Sequence, residues 1–274
     1  MTFVNRLYLI SLAMVVLCGC AKKGSPHANS DIAVSNSYLA CAVKDICGPE
    51  KEVLCLAPPG MCPGHFDISP GRVNDLCKCR LLILFDFQSK IADQLERISD
   101  QGLQIKLVRP EGGLCVPANY LDICRQAAVF LTEHDPTAAP SYEARLIQIE
   151  KRLAALEKSI RSQITAAGLQ NVAVVTSHHQ GKFAEWLGFN VISQFTGGDT
   201  ETAWDISQSI ESARGNDIRF VIANRQEGTA LAQALAERLD SVMVVFSNFP
   251  GTEDVAAFDL NLHRNIDSLM GTAR

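Results

Sequence analysis

No cysteine occurs after residue 124 of this 274-residue chain, although ten occur up to and including it. Aromatic residues are few, with two Trp and four Tyr. Beyond the first seventeen residues no segment is long and apolar enough to cross a membrane. No Gly-rich loop carries the Lys and Ser/Thr of a phosphate cradle, which removes support for nucleotide binding. The formal net charge is -5, so the positive field that attracts nucleic acid is missing too. Ser177-His178 lacks the strand–turn–helix setting of a nucleophile elbow. Cys77-Lys78-Cys79 lacks the spacing of a thioredoxin-type pair. Nothing in the sequence points to an enzyme.

At the N-terminus, Arg6 precedes an apolar run from Leu7 to Leu17. The run is too short for a span but suits the hydrophobic region of a signal peptide. It ends in Leu17-Cys18-Gly19-Cys20, which looks like a lipobox: aliphatic residue, tolerated position, small residue, then the cysteine that is lipidated. The expectation is a signal peptide over 1–19 and a lipid anchor on Cys20, with the protein held at the cell envelope on its periplasmic or extracellular side. Residues 20–30 are small and polar and read as a tether.

Eight further cysteines lie between the tether and residue 125: Cys41, Cys47, Cys55, Cys62, Cys77, Cys79, Cys115 and Cys124. In an exported chain thiols can persist as disulfides, and an even count allows full pairing, with 105 connectivities for eight cysteines. Metal binding by some of them is the other reading. Cys77 and Cys79 are too close to favour bonding each other.

Strand-like and helix-like segments alternate over 31–137, which predicts a parallel sheet with helices on both faces. The strands expected are 31–35, 52–56, 81–87 and 104–108; the helices are 37–47, 71–78, 88–99 and 118–132. Over 138–168 the pattern changes. Tyr142, Leu146, Ile149, Leu153, Leu156, Ile160 and Ile164 recur at spacings of three and four, one apolar stripe on a long helix. Pro140 fits its first turn and Gly168 its end. Residues 169–274 return to alternation, with strands at 171–176, 190–195, 218–224 and 241–246 and helices at 181–187, 201–214, 228–239 and 254–270. The fold expected is therefore two α/β lobes, each a parallel sheet flanked by helices, joined by one long spanning helix.

Several stretches resemble a known family. Asp135-Pro136, then Tyr142-Glu-Ala-Arg-Leu146 and Arg152-Leu-Ala-Ala-Leu156, are similar to the spanning helix of the zinc- and manganese-binding solute-binding lipoproteins of ABC importers. Val174-Val-Thr-Ser-His178 resembles the strand and histidine that open their C-terminal lobe. Phe220-Val-Ile-Ala-Asn-Arg-Gln226 with Leu231-Ala-Gln-Ala-Leu-Ala236 resembles the next strand and helix. Leu56-Ala-Pro-Pro-Gly60 through Ser69-Pro70 resembles the loop of the first metal ligand.

The resemblance implies a metal ion bound in the cleft between lobes and passed to a permease and its ATPase by a monomer without catalytic activity. It also implies a rigid helix that limits lobe motion. The ligand pattern is altered. The first family histidine falls near Gly64, flanked by Cys62 and His65. The second falls near Gly112, with Cys115 close behind. His178 matches, His179 stands where an aspartate is usual, and Asn224 and Ser247 meet the positions where a later acid is expected. No acidic histidine-rich loop is present. The candidate metal ligands are thus Cys62, His65, Cys115, His178 and His179. Thiolate and imidazole suit Zn²⁺, thiolates also suit Cu(I), and the loss of carboxylates makes Mn²⁺ a poorer fit. The alternative is a relative whose cleft holds no metal, cross-linked by disulfides and acting as an envelope interaction protein.

Overall fold

The computed structural model describes residues 30–57, 61, 68–95, 102–197, 203–251 and 256–272. The expected signal peptide, residues 20–29 of the expected tether with Cys20, and the candidate ligands Cys62 and His65 lie outside the described residues, while Ser30, expected to end the tether, is buried instead.

The N-terminal lobe runs β1 (Ile32–Val34), α1 (Ser37–Cys47), β2 (Leu54–Cys55), α2 (Pro70–Leu76), β3 (Leu81–Phe85), α3 (Ser89–Gln94), β4 (Gln104–Val108) and α4 (Pro117–His134). Its four strands are parallel in the order β2-β1-β3-β4. A short 3-10 turn over Pro136–Ala138 leads into α5 (Ala139–Ala166). The C-terminal lobe follows: β5 (Ala173–Ser177), α6 (Gly181–Trp186), β6 (Asn190–Phe195), α7 (Ala203–Ala213), β7 (Ile218–Asn224), α8 (Ala230–Arg238), β8 (Val242–Phe246) and α9 (Ala257–Thr272). Its parallel order is β6-β5-β7-β8. Two α/β lobes over one long helix is the architecture the alternation predicts.

Each sheet is covered on both faces. All five residues of β3 are buried, as expected of a central parallel strand. Leu81, Ile83 and Phe85 face one core, while Leu82 and Leu84 face another with Leu76 and Leu103. In β7, Phe220 and Ile222 face the first core, and Val221 and Ala223 face a third beneath α8. That first core is continuous between the lobes. It takes in Tyr38, Tyr120, the α5 stripe and Phe258 of α9.

The stripe on α5 is buried at Tyr142, Ile149, Leu153, Leu156, Ile160 and Ile164. Pro140 lies in the first turn, and Gly168 follows the helix with φ +65, a left-handed conformation that favours glycine. At about 1.5 Å per residue, 28 residues give a rod on the order of 40 Å long.

α9 links the C-terminal lobe to α4 and α5. Phe258 stacks on Tyr120 of α4 at 4.0 Å. Asp45 of α1, its side chain fully buried, accepts hydrogen bonds from Tyr120 Oη (2.8 Å), Arg152 of α5 and the backbone N–H of Ala256 (3.2 Å). Arg152 Nε also lies 3.1 Å from Asp259 Oδ2 of α9. Three segments distant in sequence therefore meet in one charged cluster.

The seven described cysteines are all free thiols, so the disulfides expected among them are not formed. The reason is placement. Cys41, Cys115 and Cys124 point into the first core and Cys79 into the second, on the opposite face of the sheet. Several sulfurs find partners of their own: Cys41 meets Tyr120 Oη at 3.1 Å, Cys55 donates to Ala57 O at 3.2 Å, and Cys79 donates to Ser30 O at 3.3 Å.

Candidate metal site

In open parallel sheets, ligands gather at the carboxyl ends of the strands. His178 and His179 follow directly on Ser177, the last residue of β5, in a 3-10 turn over His178–Gln180. The turn forms because Ser177 Oγ accepts the His179 N–H at 3.3 Å, a side-chain cap. Both histidines are exposed.

Each histidine is held at Nδ1. His178 Nδ1 lies 3.0 Å from Gln194 Oε1 on neighbouring β6. His179 Nδ1 pairs with Glu227 Oε1, and Glu227 Oε2 accepts from Ser177 Oγ. Glu227 comes from the 3-10 turn Arg225–Glu227 that follows β7. The order β6-β5-β7 sets these three strand ends side by side. Gly228, at φ +84, reverses the chain immediately after Glu227. A Cβ on Gly197 would stand 2.6 Å from Glu227 Cβ, so only glycine leaves space for this carboxylate.

Burial alone would raise the Glu227 carboxyl, but hydrogen bonds from His179 and Ser177 outweigh it and hold the group below its usual value. The same hydrogen bond raises His179 above the usual imidazole value, against the opposing effect of burial. Glu227 is the carboxylate that sequence reasoning missed when it met Asn224 and Ser247. The readable signal was the turn Arg225-Gln-Glu-Gly228 at a strand end, three residues beyond Asn224.

Beneath the histidines lies a layer of amides. Gln180 Nε2 donates to Asn224 Oδ1 (3.2 Å) and Asn248 Oδ1 (3.0 Å). Asn248 Nδ2 donates to His179 O at 3.3 Å. Cys115 joins this layer from the other lobe. It is completely buried, and its thiol donates to Ser247 O (3.2 Å) and Asn248 Oδ1 (3.4 Å). Asn265 Nδ2 approaches the sulfur at 3.5 Å. Burial pushes the Cys115 thiol up to about 12, which keeps it protonated. Close fit on the N-terminal side comes from Gly113, where a Cβ would stand 2.9 Å from Lys182 Cβ.

The structure thus brings His178 and His179 together, adds Glu227, and sets Cys115 in the seam below. Among the described residues no three His, Cys, Asp or Glu side chains converge on one point as a metal site would require. Among the described residues, no helix is long and apolar enough to cross a membrane.

Two parallel-sheet lobes joined by one long helix are the architecture shared with the solute-binding proteins found by comparison. The family model described as ZnuA, zinc-uptake complex component A, periplasmic, matches residues 115–270, and the chain belongs to that family. These are binding components of metal transport and not enzymes. Solved structures share the fold. A crystal structure of ZnuA is 18% identical with a TM-score of 0.69, covering 89% of this chain and 98% of that one. A manganese-bound variant of the periplasmic metal binding protein of Candidatus Liberibacter asiaticus is 15% identical with a TM-score of 0.73, covering 89% and 100%. A variant of FpvC from Pseudomonas aeruginosa is 16% identical with a TM-score of 0.68, covering 88% and 98%. No curated protein matches the chain.

Proposed function

We propose that this protein captures zinc in the cleft between its lobes and delivers it to the permease and ATPase of an ABC importer. The observation that carries this reading is the exposed pair His178 and His179 at the end of β5, with a carboxylate behind the second ring. Imidazole nitrogen suits Zn²⁺. The remaining ligands of the proposal are Cys62 and His65 on the preceding lobe. Cys115 would join them only as a thiolate, which its burial opposes. With few carboxylates in the donor set, Mn²⁺ is the weaker cargo, and Cu(I) would require the thiolates. Protein purified from the periplasm is expected to carry about one equivalent of zinc by elemental analysis. Absence of metal, with no thermal shift on adding Zn²⁺, Mn²⁺ or Cu(I), would sink the reading and leave an envelope interaction protein on a metal-binding fold.

The proposal includes anchoring by lipid on Cys20, which keeps the carrier near its permease at high effective concentration. Intact-mass measurement should find a chain beginning at a lipidated Cys20. A membrane-free chain beginning elsewhere would remove the anchor from the proposal.

A further inference from the structure

Each exposed histidine is used at Nδ1 only; among the described residues neither Nε2 has a hydrogen-bond partner. The acceptors decide the tautomer. A carboxylate cannot donate, so Nδ1 of His179 carries the hydrogen that goes to Glu227. With Gln194 Oε1 as its acceptor, His178 Nδ1 donates in the same way. In each neutral ring the lone pair is left on Nε2, across the ring from Nδ1.

The two rings have centres 6.0 Å apart and planes at 84°. Two imidazoles bound through Nε2 to one tetrahedral ion place their centres roughly 5 Å apart, from metal–nitrogen distances of about 2 Å. The Glu227 carboxylate is shared between His179 Nδ1 and Ser177 Oγ, so both of its oxygens are held.

We propose that Glu227 is a positioning residue: it fixes the His179 tautomer so that His178 and His179 present adjacent Nε2 donors to a single borderline metal ion, without itself ligating. This rests on the reading of the cleft as a metal site. It makes the C-terminal half of the site a neutral, all-nitrogen donor pair, which selects Zn²⁺ or a similar ion over the harder Mn²⁺. Outer carboxylates of this kind orient ligating imidazoles, and their loss commonly weakens binding about 10–100-fold.

The test compares the full-length protein with Glu227→Ala and Glu227→Gln. Zn²⁺ affinity is measured by competition with a chelator, and the His179 tautomer is read from its imidazole ¹⁵N shifts in the metal-free state. The expected result is a loss of about 10–100-fold in E227A, a shift of His179 toward the Nε2–H tautomer, and substantial recovery in E227Q, whose amide oxygen can still accept from Nδ1. A merely structural role would not move the tautomer. Unchanged Zn²⁺ affinity in a folded E227A, with the parent binding normally, overturns this inference and leaves the proposed function standing. A parent chain that binds no metal overturns both. Should E227A fail to fold, E227Q decides alone: equal affinity with a different His179 tautomer contradicts the positioning role.

Discussion

At the scale of single residues, Gly197 shows how a position with no side chain can control a site. Its Cα faces the Glu227 stem, and an added methyl would press on Glu227 Cβ, which cannot swing away as a side-chain tip can. Gly197→Ala should therefore dislodge the carboxylate from His179, weaken the proposed Zn²⁺ binding about tenfold and cost about 1–3 kcal/mol of stability. Chelator competition and urea unfolding measure the two effects. Parent-like affinity in the Gly197→Ala variant would mean that Glu227 has slack. The His179–Glu227 pair also predicts a pH signature in the metal-free protein. Glu227 is lowered from an ordinary value of 4.5, so its contribution exists above pH 4.5 and is lost as pH falls through the lowered value. His179 is raised from 6.5, so its contribution exists below pH 6.5 and is lost as pH rises through the raised value. The melting temperatures of parent and E227A should differ most between pH 4.5 and 6.5 and draw closer above the raised histidine value, where only the Ser177 hydrogen bond to the carboxylate persists unchanged. His179 is 55% exposed, so the difference is modest. A constant gap from about pH 5 to about pH 9 would contradict the pairing.

At the scale of elements, periodicity was legible where burial is simple. β4, β6 and β7 and helix α1 begin and end where their patterns do. β3 was expected to reach Phe87, but the strand ends at Phe85, where Asp86 opens a 3-10 turn. Phe87 instead lies in a 3-10 turn, 55% exposed and stacked on Phe85. β5 was expected from Asn171, whose φ of +57 keeps it out of the strand until Ala173. α3 ends at Gln94, short of the expected Ser99, which lies outside the described residues. The site was half legible for a similar reason. His178 and His179 advertise themselves on a strand end, whereas Glu227 becomes their neighbour only through the order β6-β5-β7, which no local pattern encodes. For α5, the buried stripe predicts an asymmetric response. Leu153→Ala removes a side chain that is 3% exposed and should cost about 2–5 kcal/mol, while Ile147→Ala, at a position 50% exposed, should stay within about 0.5 kcal/mol. Urea unfolding of both variants tests this, and equal costs would mean that the stripe is not what binds the helix to the lobes.

At the scale of the whole molecule, the cluster of Asp45, Arg152 and Asp259 joins α1, α5 and α9, and its two carboxylates are not equivalent. Asp45 is enclosed and satisfied by Tyr120, Arg152 and the Ala256 N–H. Asp259 lies 3.1 Å from Arg152 Nε, yet that nitrogen makes no aligned hydrogen bond, and Asp259 Oδ1 is buried with no partner among the described residues. Burial raises the Asp259 carboxyl, and the Arg152 charge only partly opposes it. A carboxyl raised on folding holds its proton more tightly in the folded state, so it adds stability as pH falls through its folded value and costs stability above it. Asp259→Asn should therefore be close to neutral or slightly stabilising at neutral pH. Asp45→Asn should lose about 3 kcal/mol, because it breaks a buried pair and leaves Arg152 with only the misaligned partner. Amide hydrogen exchange adds the spatial reading: in D45N, α9 and the seam at Ser247 and Asn265 should open before β3 and β7, since α9 is what Asp45 holds to the N-terminal lobe. Uniform acceleration across both sheets would instead make the cluster a general stabiliser with no special hold on the lobes.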